Sequence, residues 1–139
     1  MKTELPANAK KVLVIDDNKI ILKAMELSLV SKGYRVLTAD SGAETIHILL
    51  KDKPDVILLD LDFAPDAANI SGPFRDGFLI IDWARRMCDA EKIPVIMISS
   101  TDPEEYKKRA QDFGIMTFLK KPLDKEAVVA MIQKVLGSK

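Results

Sequence analysis

Residues 55–60 read DVILLD, in which four consecutive apolar residues stand between two aspartates. A short apolar run bounded by polar residues is typical of a strand that is buried on both faces of a sheet. Residues 12–15, VLVI, and residues 94–98, PVIMI, have the same character, and shorter strands are expected over 35–39 and 116–120. Strands that are apolar throughout favour a parallel sheet.

Amphipathic segments separate these strands and predict helices. Ser41 and Glu44 form an S-x-x-E capping box at the start of one helix, and Gly33 and Gly114 stand where two others end. The helices are expected over 18–32, 41–52, 77–90, 101–112 and from Asp124 onward. Alternating strands and helices with right-handed crossovers favour a doubly wound (βα)5 fold of class α/β, in which helices cover both faces of the sheet.

The composition is that of one globular domain. Of the 139 residues, 47% are hydrophobic and 30% charged, so we expect a single domain over 1–139 with its core at about 10–136. The 21 basic residues balance 21 acidic ones, which argues against nucleic acid as a partner. Cys88, the sole cysteine, cannot form an internal disulfide. Since the sequence also contains neither a signal peptide nor a membrane-spanning stretch, we expect a cytoplasmic protein without membrane contact.

Polar residues stand where the predicted strands end. The carboxyl ends of parallel strands meet at one edge of a sheet, and ligands bind beyond that edge, so these residues are expected to form one site. Asp and Ser also suit turns, and any one of them alone carries little information. The set consists of Asp16, Asp17, Asp60, Asp62, Ser99 and Lys121.

A cluster of carboxylates has a specific chemical consequence. The carboxylates repel one another, and a divalent cation relieves that repulsion. Oxygen ligands favour Mg²⁺, which usually binds one or two carboxylates together with water and phosphate oxygens. An aspartate beside the metal can attack phosphorus to form an acyl phosphate, while a lysine and a serine stabilise the transferring group.

Five segments of the chain match a known family. They are VLVIDDN (12–18), DVILLD (55–60), DGF (76–78), PVIMISS (94–100) and FLKKPL (118–123). In these segments the chain resembles the receiver domain of two-component response regulators. Within that family it is similar to the chemotaxis regulators. The resemblance implies a flavodoxin-like, five-stranded parallel sheet in the order 2-1-3-4-5. It also implies a signalling switch that depends on phosphorylation. Such a switch is not an enzyme, because it catalyses only its own phosphoryl transfer and autodephosphorylation.

The resemblance implies a role for each acidic residue. Asp60 would be the phosphoacceptor and, with Asp17, a direct ligand of Mg²⁺. Asp16 would act on the metal through water or a side contact, and the backbone carbonyl of Asp62 would supply a further ligand.

The remaining family positions imply a switch. Ser99 would be the hydroxyl that moves toward the phosphoryl group, and Phe118 the aromatic residue that moves with it, although a strand phenylalanine is more commonly plain core. Lys121 would pair with the phosphoryl group, and Lys121–Pro122 resembles the family's cis peptide. Lys120 is the competing lysine, but strand alternation turns it to the opposite face.

The resemblance also implies partners. A sensor histidine kinase or a histidine phosphotransfer protein would donate the phosphoryl group to Asp60. Phosphorylation would then reshape the surface formed by the fourth helix, the fifth strand and the fifth helix, which would contact an unknown downstream protein. We expect a receiver that stands alone rather than a piece of a larger protein.

Two features leave alternatives open. The segment over about 63–75 is an insertion relative to the family, and either restricts access to Asp60 or is a tolerated surface loop.

The D-x-D of Asp60 and Asp62 also suits a phosphatase of the haloacid-dehalogenase type, but the order of the motifs along the chain is reversed. A binding module that kept the receiver fold without phosphorylation is a third reading, which the complete Asp, Ser and Lys set opposes.

Overall fold

The structure is a computed structural model, and it describes residues 8–60, 86, 93–99, 104, 107–112, 114–115 and 117–137. The strands are β1 (Lys11–Ile15), β2 (Arg35–Ala39), β3 (Val56–Asp60), β4 (Val95–Ser99) and β5 (Thr117–Lys120). The helices are α1 (Lys19–Ser31), α2 (Gly42–Lys51), α3 (Lys107–Asp112) and α4 (Lys125–Val135). The insertion predicted over 63–75 lies outside the described residues, and so does the helix predicted over 77–90 except for residue 86. None of the described helices has the length and hydropathy that crossing a bilayer requires.

The five strands form one sheet in the order β2-β1-β3-β4-β5, and every neighbouring pair is parallel. The predicted doubly wound sheet and its strand order are therefore confirmed. The register sets Ile15 opposite both Ala39 and Leu59, and Asp60 opposite Ile98. Since β1, β3 and β4 consequently end at nearly the same level, the residues that follow them share one edge of the sheet.

Two separate apolar cores lie on the two faces of the sheet, because side chains alternate along each strand. On one face, the strand residues pack against Ile46 and Leu49 of α2 and Ala110 of α3. On the other face, they pack against helices α1 and α4, through Leu22, Leu29, Val128 and Ile132. Strands β3 and β4 are buried along their whole length, which explains their continuously apolar sequences.

The helix starts follow from local hydrogen bonds. The side chain of Asn18 accepts from the backbone N–H groups of Ile20 and Ile21, at 2.9 and 3.2 Å, and so caps α1. The Ser41 half of the predicted capping box at α2 is present, with Ser41 Oγ accepting from the N–H of Glu44 at 3.1 Å. The Glu44 carboxylate in turn accepts from the N–H of Asp40 at 3.1 Å. These caps fix how the chain leaves β1 and β2, directly beside the edge of the sheet where the predicted site lies.

Candidate functional site

Asp60 occupies the centre of the site. It is the last residue of β3, a strand paired on both sides, and it is 4% exposed. Its Oδ2 accepts a hydrogen bond from Lys121 Nζ at 3.0 Å. A buried carboxylate is costly unless it is paired, so this contact with a cation accounts for the presence of an aspartate at the end of an otherwise apolar strand.

Lys121 is placed by the exit of the chain from β5. Its backbone N–H donates to the carbonyl of Ser99 at 2.9 Å, which extends the β4–β5 pairing by one residue. The following peptide bond, to Pro122, is cis, as the resemblance implied. Lys120 is exposed and stands opposite Ser99 in the register, whereas the Lys121 side chain is 27% exposed and reaches Asp60. Of the two candidate lysines, the structure therefore brings Lys121 into the site.

Asp16 is the second buried carboxylate of the site. It follows β1 and is 5% exposed, and its Oδ1 accepts from the backbone N–H of Asn18 at 2.9 Å. The pKa of Asp16 is raised from 3.8 to about 6, mainly by burial and also by the negative charge and the hydrogen bond of Asp60. The Asn18 N–H and the Lys121 ammonium oppose this rise in pKa without cancelling it. Asp16 and Asp60 therefore share this site with the Lys121 ammonium, which is hydrogen-bonded to Asp60.

Asp17 and Asp62 complete the acidic residues predicted to hold the metal. Asp17, the residue after Asp16, is exposed. Asp62 lies outside the described residues, so its carbonyl stays a prediction. The carboxylate that the structure packs against Asp60 is that of Asp16, for which the resemblance implied an indirect contact with the metal.

Ser99 and Phe118 lie beside the carboxylates. Ser99 ends β4, is fully buried and comes one residue after Ile98, the register partner of Asp60. Phe118 lies in β5 opposite Met97, is partly buried and packs against the core on the α2 and α3 face. Both residues therefore occupy the positions that sequence analysis predicted, while their roles in switching stay predictions.

The donor set of the site fits Mg²⁺. Within the described part of the chain, no three His, Cys, Asp or Glu side chains are arranged to hold a metal ion. Mg²⁺ does not require such a cage, because it usually keeps several waters and binds one or two carboxylates. The pKa of Asp16 is raised mainly by its burial and also by the nearby Asp60 carboxylate, and a bound cation would oppose both effects.

Sequence analysis assigned no role to Asn18. Its side chain caps α1, and its backbone N–H holds the Asp16 carboxylate. The signal was available, because an aspartate commonly accepts a hydrogen bond from the N–H two residues further along the chain. Asn18 therefore links the start of α1 to the position of the buried carboxylate.

Comparisons with known proteins agree with this geometry. The family model described as the response regulator receiver domain matches residues 12–133. The chemotaxis protein CheY4 of Vibrio cholerae has a similar structure, at 27% identity and a TM-score of 0.78, over 91% of this chain and 98% of that chain. The family match favours the receiver interpretation over the phosphatase alternative.

Two further solved structures share the fold. A two-component response regulator from Clostridium difficile is 22% identical, with a TM-score of 0.77, over 93% of this chain and 97% of that one. The receiver domain of a sensor histidine kinase from Pseudomonas aeruginosa, described with magnesium in its active site cleft, is 22% identical. It has a TM-score of 0.75 and matches over 94% of this chain and 99% of that one.

Proposed function

Because this chain belongs to the response regulator receiver family of two-component signalling, we propose that it is a switch that accepts a phosphoryl group on Asp60 in the presence of Mg²⁺. The observation that carries the proposal is the buried Asp60 carboxylate, which accepts a hydrogen bond from Lys121 at 3.0 Å and lies against Asp16. This arrangement offers a nucleophile, a lysine ammonium and a second carboxylate at one edge of the sheet.

The donor in this proposal is a phosphohistidine of a sensor histidine kinase or of a histidine phosphotransfer protein. A carboxylate oxygen of Asp60 attacks phosphorus, a P–O bond forms, and the N–P bond breaks with its electron pair returning to the imidazole. Asp60 and Asp17, together with Asp16 and the carbonyl of Asp62, would hold Mg²⁺, which would neutralise charge on the phosphoryl oxygens. Lys121 releases the carboxylate and pairs with the new phosphoryl group.

The proposed readout is a rearrangement next to the acyl phosphate. Ser99 donates its hydroxyl to a phosphoryl oxygen, and Phe118 follows it toward the core, since both lie on strands adjacent to the site. This movement reshapes the surface formed by α3, β5 and α4, which then contacts a downstream protein. The chain acts by this contact as a single signalling domain over 1–139, and its only catalysis is its own phosphorylation and dephosphorylation.

Incubation of the wild-type protein with acetyl phosphate tests this function. Intact mass should show one added phosphoryl group when Mg²⁺ is present and none when it is removed by a chelator. Free phosphate should appear in the same tube only slowly. Rapid release of phosphate without a detectable adduct would instead support the phosphatase, and the absence of both products would support a binding module.

Replacement of Ser99 with alanine separates phosphorylation from switching. We expect the phosphoryl adduct to form, because the nucleophile, the metal ligands and Lys121 remain. The changes in amide chemical shift over Thr117–Lys120 on phosphorylation should shrink by about half or more, because the link between β4 and the phosphoryl group is lost. Ser31→Ala, an exposed position on α1, is the control and should respond as the wild type does. An undiminished response in Ser99→Ala would contradict the switch role.

A further inference from the structure

A cavity of about 560 Å³ lies between α1 and α4, on the sheet face opposite to α2 and α3. Its walls are apolar, with Ile21 and Met25 on α1, Val128 on α4, and Leu58 and Ile98 on the sheet. A cavity of this size lies within the range of roughly 300–1,000 Å³ that is typical of small-molecule sites, which combine apolar walls with a few convergent polar groups.

Three charged residues of the cavity lining lie together at the end nearest to the sheet edge that holds the site. Asp16 and Asp60 line it there, and both are almost fully buried. Lys121 also lines this end, and its ammonium is already hydrogen-bonded to Asp60. Lys125 is the other charged residue of the lining, but it is exposed, so solvent screens its charge. Among the described residues that line this end, Asp16 and Asp60 carry a negative charge when they are ionised and Lys121 carries a positive one.

We propose that this cavity binds a small amphiphilic cation, with its apolar body between α1 and α4 and its ammonium or amidinium head against Asp16 and Asp60. The apolar walls exclude a hydrated metal ion from most of the volume, and the buried carboxylates disfavour an anionic head. The occupant reaches the same carboxylates as Mg²⁺, so the two cations compete. If the proposed phosphorylation also holds, such a ligand inhibits it by excluding the metal.

The entrance of the cavity offers a way to test it. Ala24 and Ser28 lie on the same face of α1 and line the cavity, and Ala24 is exposed although its side chain is small. A larger side chain at Ala24 fills the space between the helices from its open side. Leu27 is 61% exposed and is absent from the lining of the cavity, so a matched change there leaves the cavity open.

Binding is measured with three eight-carbon probes that differ only in the head group: octylammonium, octanol and octanoate. Calorimetry on the full chain, below the concentrations at which the probes aggregate, should show octylammonium binding about tenfold more tightly than the other two. Saturating Mg²⁺ should weaken octylammonium binding by a similar factor. Ala24→Phe should weaken it about tenfold, whereas Leu27→Phe should leave it unchanged.

Other outcomes overturn the proposal. Equal affinity for the three probes would mean that the carboxylates do not select the head group, and tighter binding of octanoate would assign the site to Lys125. Absence of octylammonium binding would refute the site, and binding that survives Ala24→Phe would place the probe elsewhere. If Ala24→Phe does not fold, Ser28→Leu fills the same cavity and decides the question. These readouts do not involve phosphorylation, so failure of the ligand site and failure of the proposed switch remain distinguishable.

Discussion

Asp60→Asn should abolish phosphorylation of the chain by acetyl phosphate. The amide lacks the anionic oxygen that attacks phosphorus, and it removes one of the two buried carboxylates that would hold Mg²⁺. We expect no detectable phosphoryl adduct by intact mass under conditions that saturate the wild type. The fold should survive, because Lys121 is 27% exposed and can turn its ammonium to solvent once its partner is gone.

The matched control for this variant is Asp55→Asn. Asp55 directly precedes β3, at the end of that strand opposite to Asp60. Its Oδ2 accepts a hydrogen bond from the backbone N–H of Lys11 at 2.7 Å. Asparagine keeps an oxygen that can accept this bond, so phosphorylation should match the wild type. An adduct on Asp60→Asn, or its loss from Asp55→Asn with the fold intact, would contradict the assignment of Asp60 as the phosphoacceptor.

The sequence allowed the fold to be predicted because its strands are buried on both faces. The continuously apolar runs at 12–15 and 56–59 lie in β1 and β3, and the strand order followed from the family resemblance. The site was predictable for a related reason. In a parallel sheet the strands end at one edge, so Asp16, Asp60 and Ser99 had to be neighbours once the strands were placed.

Other properties of the site depend on distances that the sequence does not encode. The sequence alone does not show which of the adjacent residues Asp16 and Asp17 lies closer to Asp60. The structure shows that Asp16 is buried against Asp60, whereas Asp17 is exposed. The cavity between α1 and α4 was not predicted for the same reason. It depends on how far apart two helices lie, and small residues such as Ala24 leave that space unfilled.

Asp16→Asn should make the protein more stable at neutral pH. An aspartate with a pKa of 3.8 when unfolded and about 6 when folded binds more protons in the folded state between these values. Folding stability therefore falls as pH rises from 3.8 to about 6, and it stays at the lower level above that pH. The difference in pKa corresponds to a decrease of at most about 3 kcal/mol in the free energy of unfolding of the wild type above pH 6. We expect Asp16→Asn to recover roughly 1–3 kcal/mol of this free energy at pH 7.

Urea denaturation of the wild type and of Asp16→Asn from pH 4 to pH 7.5 measures this effect. The difference in the free energy of unfolding between the variant and the wild type should be smallest at pH 4 and should grow until about pH 6. It grows because the Asp16 carboxyl of the folded wild type loses its proton over that range, whereas the asparagine of the variant does not titrate. Asparagine can still accept from the N–H of Asn18, so this hydrogen bond is not removed by the substitution. An advantage that does not change with pH would show that ionisation of the buried Asp16 carboxylate is not its cause.

Addition of Mg²⁺ to the same denaturation series distinguishes a binding site from a merely strained pair of carboxylates. A ligand that binds only the folded state stabilises it in proportion to the logarithm of its concentration. Mg²⁺ at neutral pH should therefore stabilise the wild type and have a much smaller effect on Asp16→Asn, which has lost one buried carboxylate. Asp112→Asn, at an exposed position on α3, should respond to Mg²⁺ as the wild type does. Equal stabilisation of the wild type and Asp16→Asn would mean that Asp16 is not needed to hold the metal, and Asp17 would then be the carboxylate that joins Asp60 in binding it.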